Sequence, residues 1–153
     1  MRVRLLGALA LVDARGPVMD RSETVTLFND MCILAPGSLL EASIRWQPID
    51  ARSARASFTN GKNTISAVLM FDAAGMLSNF ISEDRSRASA DGRTFSPQRF
   101  STPVRDYRSY RGQQLASYGE AHFHPPQGEF AYVELHILDV QLNVAEQTAT
   151  LER

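Results

Sequence analysis

Residues 54–71 read ARASFTNGKNTISAVLMF, two apolar-alternating runs separated by Asn60-Gly61. Asn-Gly is the strongest short hairpin signal, because both residues accept positive φ and the tight turn matches the twist of its flanking strands. In the second run Ile65, Ala67, Leu69 and Phe71 share one face, since side chains alternate along a strand. Val68 and Met70 fall on the other face, which predicts a strand covered on both sides.

The hairpin pattern continues toward the C-terminus. Asp72 to Gly75 reads as a turn and Met76 to Glu83 as the returning strand. Ser86 to Gln98, rich in Ser, Ala, Asp, Gly and Pro, reads as a long surface loop. Strands follow over Phe100 to Tyr110 and, after an Arg111-Gly112 turn, over Gln114 to His124. Pro125 to Gly128 turns the chain again, and Glu129 to Val144 reads as a last long strand. The connections are too short for parallel crossovers, so the pairing is expected to be antiparallel.

Toward the N-terminus the period changes. Asp20 is placed to cap a helix with Glu23 three residues on, and Val25, Phe28 and Cys32 then recur at helical spacing. The helix is expected over Asp20 to Leu34, stopped by Pro36-Gly37, with Leu39 and Leu40 starting a further short turn. Met1 to Val12 has two arginines and an eight-residue apolar run, followed at once by Asp13 and Arg15. That run reads as a buried first strand rather than a signal peptide, which favours a cytoplasmic location. Counted together, these segments give about seven strands and one helix.

The chain has 153 residues, within the range of one domain, and its 16 basic and 17 acidic residues leave a net charge of -1. Recognition of a polyelectrolyte by bulk charge is therefore excluded. Cys32 is the only cysteine, which excludes an intramolecular disulfide and a cysteine-based zinc site. No apolar run reaches the ~20 residues that span a bilayer as a helix.

Four groups of residues could carry chemistry. His122, His124 and Glu129 supply metal-ligand types, and i, i+2 residues of a strand share a face, so a metal-dependent enzyme is one alternative. Polar strand residues at a sheet edge give the same pattern. Tyr118, Glu120 and His122 alternate, as do Tyr132, Glu134 and His136, which suits acid-base chemistry in a dry pocket or a plain solvent face. Serine, histidine and acid are present for a hydrolytic triad, but the G-x-S-x-G elbow is missing. Seven arginines between Arg85 and Arg111 face only Asp91 and Asp106, with Phe95, Phe100, Tyr107 and Tyr110 interleaved. That composition suits single-stranded nucleic acid, yet no recognised module accompanies it, and a solvated strand and loop is the favoured account. Trp46, at the junction of helix and sheet, reads as a core anchor whose indole N-H needs a partner.

Several phrases occur together: Arg4-Leu-Leu-Gly7, Val12-Asp13, Gly16-Pro17, Met19-Asp-Arg-Ser-Glu23, Trp46-x-Pro-Ile-Asp50 and Ala54-Arg-Ala56. Phe71-Asp72 with Gly75, Thr102-Pro103, Asp106-Tyr107 and Gly128-Glu-Phe-x-Tyr132 complete the set. In these the chain resembles a bacterial family of unknown function whose members are usually longer, and the likeness covers nearly the whole sequence. The resemblance implies further strands ahead of the position of Met1 in those members. It also implies tryptophans where this chain has Val104 and Phe123, and no histidines at His122 and His124, which weakens the metal reading. The order of elements, ending in Asp139-Val-Gln-Leu-Asn143, is similar at the level of fold to the lipoprotein-localisation carriers, incomplete barrels that hold acyl chains under their helices.

Taken together, the sequence predicts a single α+β domain over residues 1–153. Its curved antiparallel sheet of about seven strands forms an incomplete, half-barrel-like arrangement, with the helix packed on the concave face. The expected role is noncatalytic binding of an apolar or amphipathic, lipid-like ligand between helix and sheet, with no cofactor. Val25, Phe28, Trp46, Ile65, Leu69, Phe71 and Phe80 are the expected lining residues. The alternatives are the metal-dependent enzyme and a module that forms homo-oligomers through its sheet edges.

Overall fold

The computed structural model describes residues 16–89 and 91–141, together with the backbone of 2–5 and 9–13. Strands β1 (Arg2–Leu5) and β2 (Leu9–Asp13) pair antiparallel with each other. They are followed by α1 (Pro17–Leu34) and a short 3-10 turn, Pro36–Leu40. Seven strands then form one antiparallel sheet: β3 (Ile44–Asp50), β4 (Ser53–Asn60), β5 (Asn63–Phe71), β6 (Leu77–Ser82), β9 (Arg99–Tyr110), β10 (Gln113–His124) and β11 (Phe130–His136). Their order in the sheet is their order in the chain, so every neighbour is reached by a local turn. Between β6 and β9 the chain forms a small ribbon of β7 (Ser86–Ala88) and β8 (Phe95–Pro97). The edges β3 and β11 do not pair, and the sheet is open rather than a closed barrel. No helix among the described residues is long and apolar enough to cross a membrane.

Seven strands in one sheet match the expected number, but one member differs. The segment expected as a single first strand is the β1 and β2 hairpin, separate from the main sheet, with residues 1 and 6–8 outside the described residues. The seventh strand is β3, whose Pro48 and six exposed residues hide the usual alternation. Proline is tolerated there because an edge strand leaves one row of backbone groups unpaired. The expected loop over Ser86 to Gln98 contains the β7 and β8 ribbon. The last strand ends at His136, earlier than expected, and residues 142–144 of the expected strand lie outside the described residues.

Helix α1 starts at Pro17, three residues before the expected cap. Gly16 takes φ 111°, a conformation that disfavours residues with a Cβ, and Pro17 supplies the fixed φ suited to the first helical position. Asp20 lies in the first turn, and among the described residues no side chain caps the helix. Its C-terminus falls where expected, because Pro36 cannot continue the hydrogen-bond ladder. The helix lies on β5 and β6, with further contacts to β7 and β10.

The expected hairpin forms with its loop one residue later. Asn60 pairs with Asn63, so Gly61 and Lys62 make the turn and Gly61 carries the positive φ of 58°. Arg111-Gly112 makes the β9 to β10 turn, with φ 50° and 85°, the double positive φ of a type I′ turn.

On β5, Ile65, Ala67 and Leu69 are buried as expected, but Met70 is 42% exposed and Ser66 and Val68 are half-buried. The expectation that β5 is covered on both sides is therefore corrected: only the face toward α1 has a packed layer. That layer is a row of aromatic rings running across the strands. Phe28 of α1 stacks on Phe58 at 5.0 Å and meets Phe80 edge-on at 5.8 Å. Phe80, Phe100 and Phe123 continue the row at 6.4 and 5.9 Å, and Phe123 stacks on Tyr132 at 4.9 Å. Each fully buried ring of this kind stabilises the fold by roughly 1.5–3 kcal/mol relative to exposure.

Candidate functional site

The structure separates the expected lining residues into three places. Val25, Phe28, Ile65 and Phe80 lie in the filled core, at 1% exposure or less. Leu69 and Phe71 line a cavity at one end of the helix. Trp46 is 42% exposed on the edge strand β3, which corrects its reading as a core anchor; its indole N-H donates to the Leu39 carbonyl at 3.4 Å.

The cavity has a volume of about 190 Å³. It lies where the last turn of α1 and the 3-10 turn meet the sheet. Cys32, Ile33, Pro36 and Leu39 form one wall. Leu69, Phe71, Gly75, Met76 and Leu77 form the other, and Tyr107, Gln114 and Leu115 close the far side. Two polar groups in the lining are held neutral. Burial pushes the Cys32 thiol up to about 12. Tyr107 is also pushed up to about 12, first by burial and then by the charge of Asp72, and its hydroxyl donates to the Leu77 carbonyl at 2.8 Å. Sequence reasoning missed Tyr107, Leu77 and Met76, since their convergence depends on β5, β6 and β9 being neighbours.

The histidines lie on the opposite face of the sheet, where β10 carries a continuous polar chain. Tyr118 donates to Glu120 Oε1 at 2.6 Å, and His122 Nε2 meets Glu120 Oε2 at 2.9 Å. Glu129 reaches back across the Pro125 to Gly128 turn, with Oε1 against His122 Nδ1 and Oε2 3.6 Å from His124 Nδ1. His124 Nε2 is 2.7 Å from Ser101 Oγ on β9. Arg105 lies over the Tyr118 ring at 3.8 Å and reaches Glu120 at 3.4 Å. The hydrogen bond from Tyr118, then that from His122, hold the Glu120 carboxyl below the usual carboxylate range.

Serine, histidine and glutamate thus converge at Ser101, His124 and Glu129, yet the setting does not suit nucleophilic catalysis. Ser101 is 3% exposed and pairs with Ile81 on one side and His122 on the other, in the interior of the sheet. A substrate carbonyl has no route to it, and a paired ladder leaves no backbone N-H pair for an oxyanion. Glu129 places one oxygen beside each imidazole rather than both at a shared point, and makes a hydrogen bond with neither. Among the described residues no group of three histidine, cysteine or acidic side chains is disposed to hold a metal ion.

The basic segment is divided between the two faces. Arg85 lies over Phe100 at 4.4 Å on the helix side and donates to Thr26 Oγ1 at 2.8 Å, and Arg87 lies over Phe130 at 5.0 Å. Arg105 serves the opposite face, and Arg99 is 3.7 Å from Glu83. Of the interleaved aromatics, Phe100 lies under Arg85, and the Tyr107 and Tyr110 hydroxyls donate to the Leu77 and Ile137 carbonyls at 2.8 and 2.6 Å.

No curated protein and no solved structure matched the chain, so the likeness to lipoprotein-localisation carriers rests on the order of elements alone. One comparison did match: residues 1–135 fit the model of a family described as "Family of unknown function (DUF6544)". With that match spanning most of the sequence and nearly all of the main sheet, the chain belongs to this family of unknown function.

Proposed function

We propose that the protein is a noncatalytic binder of an apolar ligand held between α1 and the sheet. The observation that carries this reading is the cavity of about 190 Å³ at the end of the helix, bordered mainly by aliphatic and aromatic side chains. Concave, mostly apolar recesses with few polar groups are the usual form of small-molecule sites. The polar side chains of the opposite face bond mainly to one another, Tyr118 and His122 to Glu120 and His124 to Ser101.

Native mass spectrometry of gently purified protein tests the reading, together with thermal unfolding in the presence of fatty acids, phospholipids and smaller apolar compounds. A retained apolar adduct or a rise in unfolding temperature is the expected result. Repeated recovery of ligand-free protein, with no thermal response to any of these compounds, would sink the idea.

A further inference from the structure

We infer that the guest of the cavity is a small uncharged group, the bulk of one aromatic ring or a short branched chain, bound without a charge or headgroup contact; this rests on the apolar-binding reading above. Size is the first argument. The cavity is about 190 Å³, against roughly 300–1,000 Å³ for sites that enclose drug-sized ligands. An enclosed apolar cavity of roughly 150 Å³ accepts benzene, and this recess, partly open to solvent, has room within its walls for a group of that size.

The second argument is that the cavity has no inward extension. Next to it the core is closed by Val25, Phe28 and Phe80, none of them measurably exposed, with the Phe28 ring packed against Phe58 and Phe80. A long acyl chain would have to displace this aromatic row. Displacing one such ring would forfeit its packing against its neighbours.

The chemistry of the wall is the third argument. None of the twelve lining residues is an acid, lysine, arginine or histidine. Tyr107 is committed to the Leu77 carbonyl, and the Cys32 thiol is neutral. A carboxylate or phosphate headgroup drawn into this wall would therefore be desolvated without a counter-charge, an expensive arrangement.

The experiment uses the whole chain and reads Cys32, whose side chain is part of the cavity wall. Modification of Cys32 by a disulfide reagent is followed with toluene, indole, dodecanoate or phosphatidylcholine vesicles present, alongside the unfolding temperature. Toluene or indole at about ten times its dissociation constant is expected to slow modification roughly tenfold and to raise the unfolding temperature. Dodecanoate and vesicles are expected to do neither. Met76→Trp adds bulk to the wall from the β5 to β6 turn and abolishes the protection. Leu39→Trp does so from the opposite wall, and circular dichroism verifies the fold of each variant. Protection by dodecanoate but not by toluene or indole overturns the small-guest inference and leaves the apolar-binding reading standing. Absence of any response to all four probes overturns both.

Discussion

Cys32 shows how one side chain reports on its surroundings. Its neighbours on α1 and in the core leave it 5% exposed, and burial alone raises its thiol from 9.0 to about 12. The folded state therefore holds the proton more tightly than the unfolded chain does. The associated stability is complete below the unfolded thiol value and is lost as pH rises from there toward the folded value. Between those limits the slope approaches 1.4 kcal/mol per pH unit, the worth of about one unit of pKa difference. Cys32→Ala is expected to flatten the decline in stability between about pH 9 and pH 10, before tyrosines ionise in the unfolded chain. Urea denaturation of both proteins across that range measures it. Equal slopes would show that the thiol is not desolvated as the structure has it.

At the scale of elements, β10 carries a second titration of the opposite sign. Glu120 is held below the ordinary carboxylate range by Tyr118 and His122, so its contribution is present above the unfolded carboxylate value and is lost as pH falls through the folded one. The wild-type advantage over Glu120→Gln is expected to shrink as pH falls below about 4.3, the ordinary glutamate value. Denaturant titrations from pH 6 down to pH 3 check this, and a constant difference would contradict the hydrogen bonding at Glu120. Elements with a local signal were legible in the sequence: the Gly61 and Arg111-Gly112 hairpins, the Val25, Phe28 and Cys32 stripe, and the stop at Pro36. Others lacked one. β3 has no alternating pattern because it is an exposed edge, and the helix start depends on a backbone angle at Gly16 that an acid at position 20 mimics as a cap. Of the expected lining residues, Leu69 and Phe71 border the recess, and Val25, Phe28, Ile65 and Phe80 are packed core. A strand period tells which face is buried and not whether that face is filled. The placement of Ser101 beside His124 was illegible for a related reason, since 23 residues separate them and only the β9 to β10 register brings them together.

The whole molecule is a meander whose strands differ in how many neighbours they have. β5, β6 and β9 are paired on both sides and lie under or beside α1, and among the described residues β3 and β11 are paired on one side only. Local opening is governed by buried apolar contacts and by backbone hydrogen bonds shielded from water, so protection should rise from the edges inward. The edges are also the apolar ones: Trp46 and Ile49 on β3 and Tyr132, Val133 and Leu135 on β11 are all more than a third exposed. An exposed strand of this kind is a template for pairing with another chain. Native hydrogen exchange read by mass spectrometry separates the possibilities along the sheet. For an open sheet, peptides covering β5, β6 and β9 should exchange through near-global unfolding, and those covering β3 and β11 at least tenfold faster. Protection of β11 equal to that of β9, falling on dilution of the protein, would mean that a second copy completes the edge. The same protection without a concentration dependence would contradict an unpaired β11 and place another part of the chain against it.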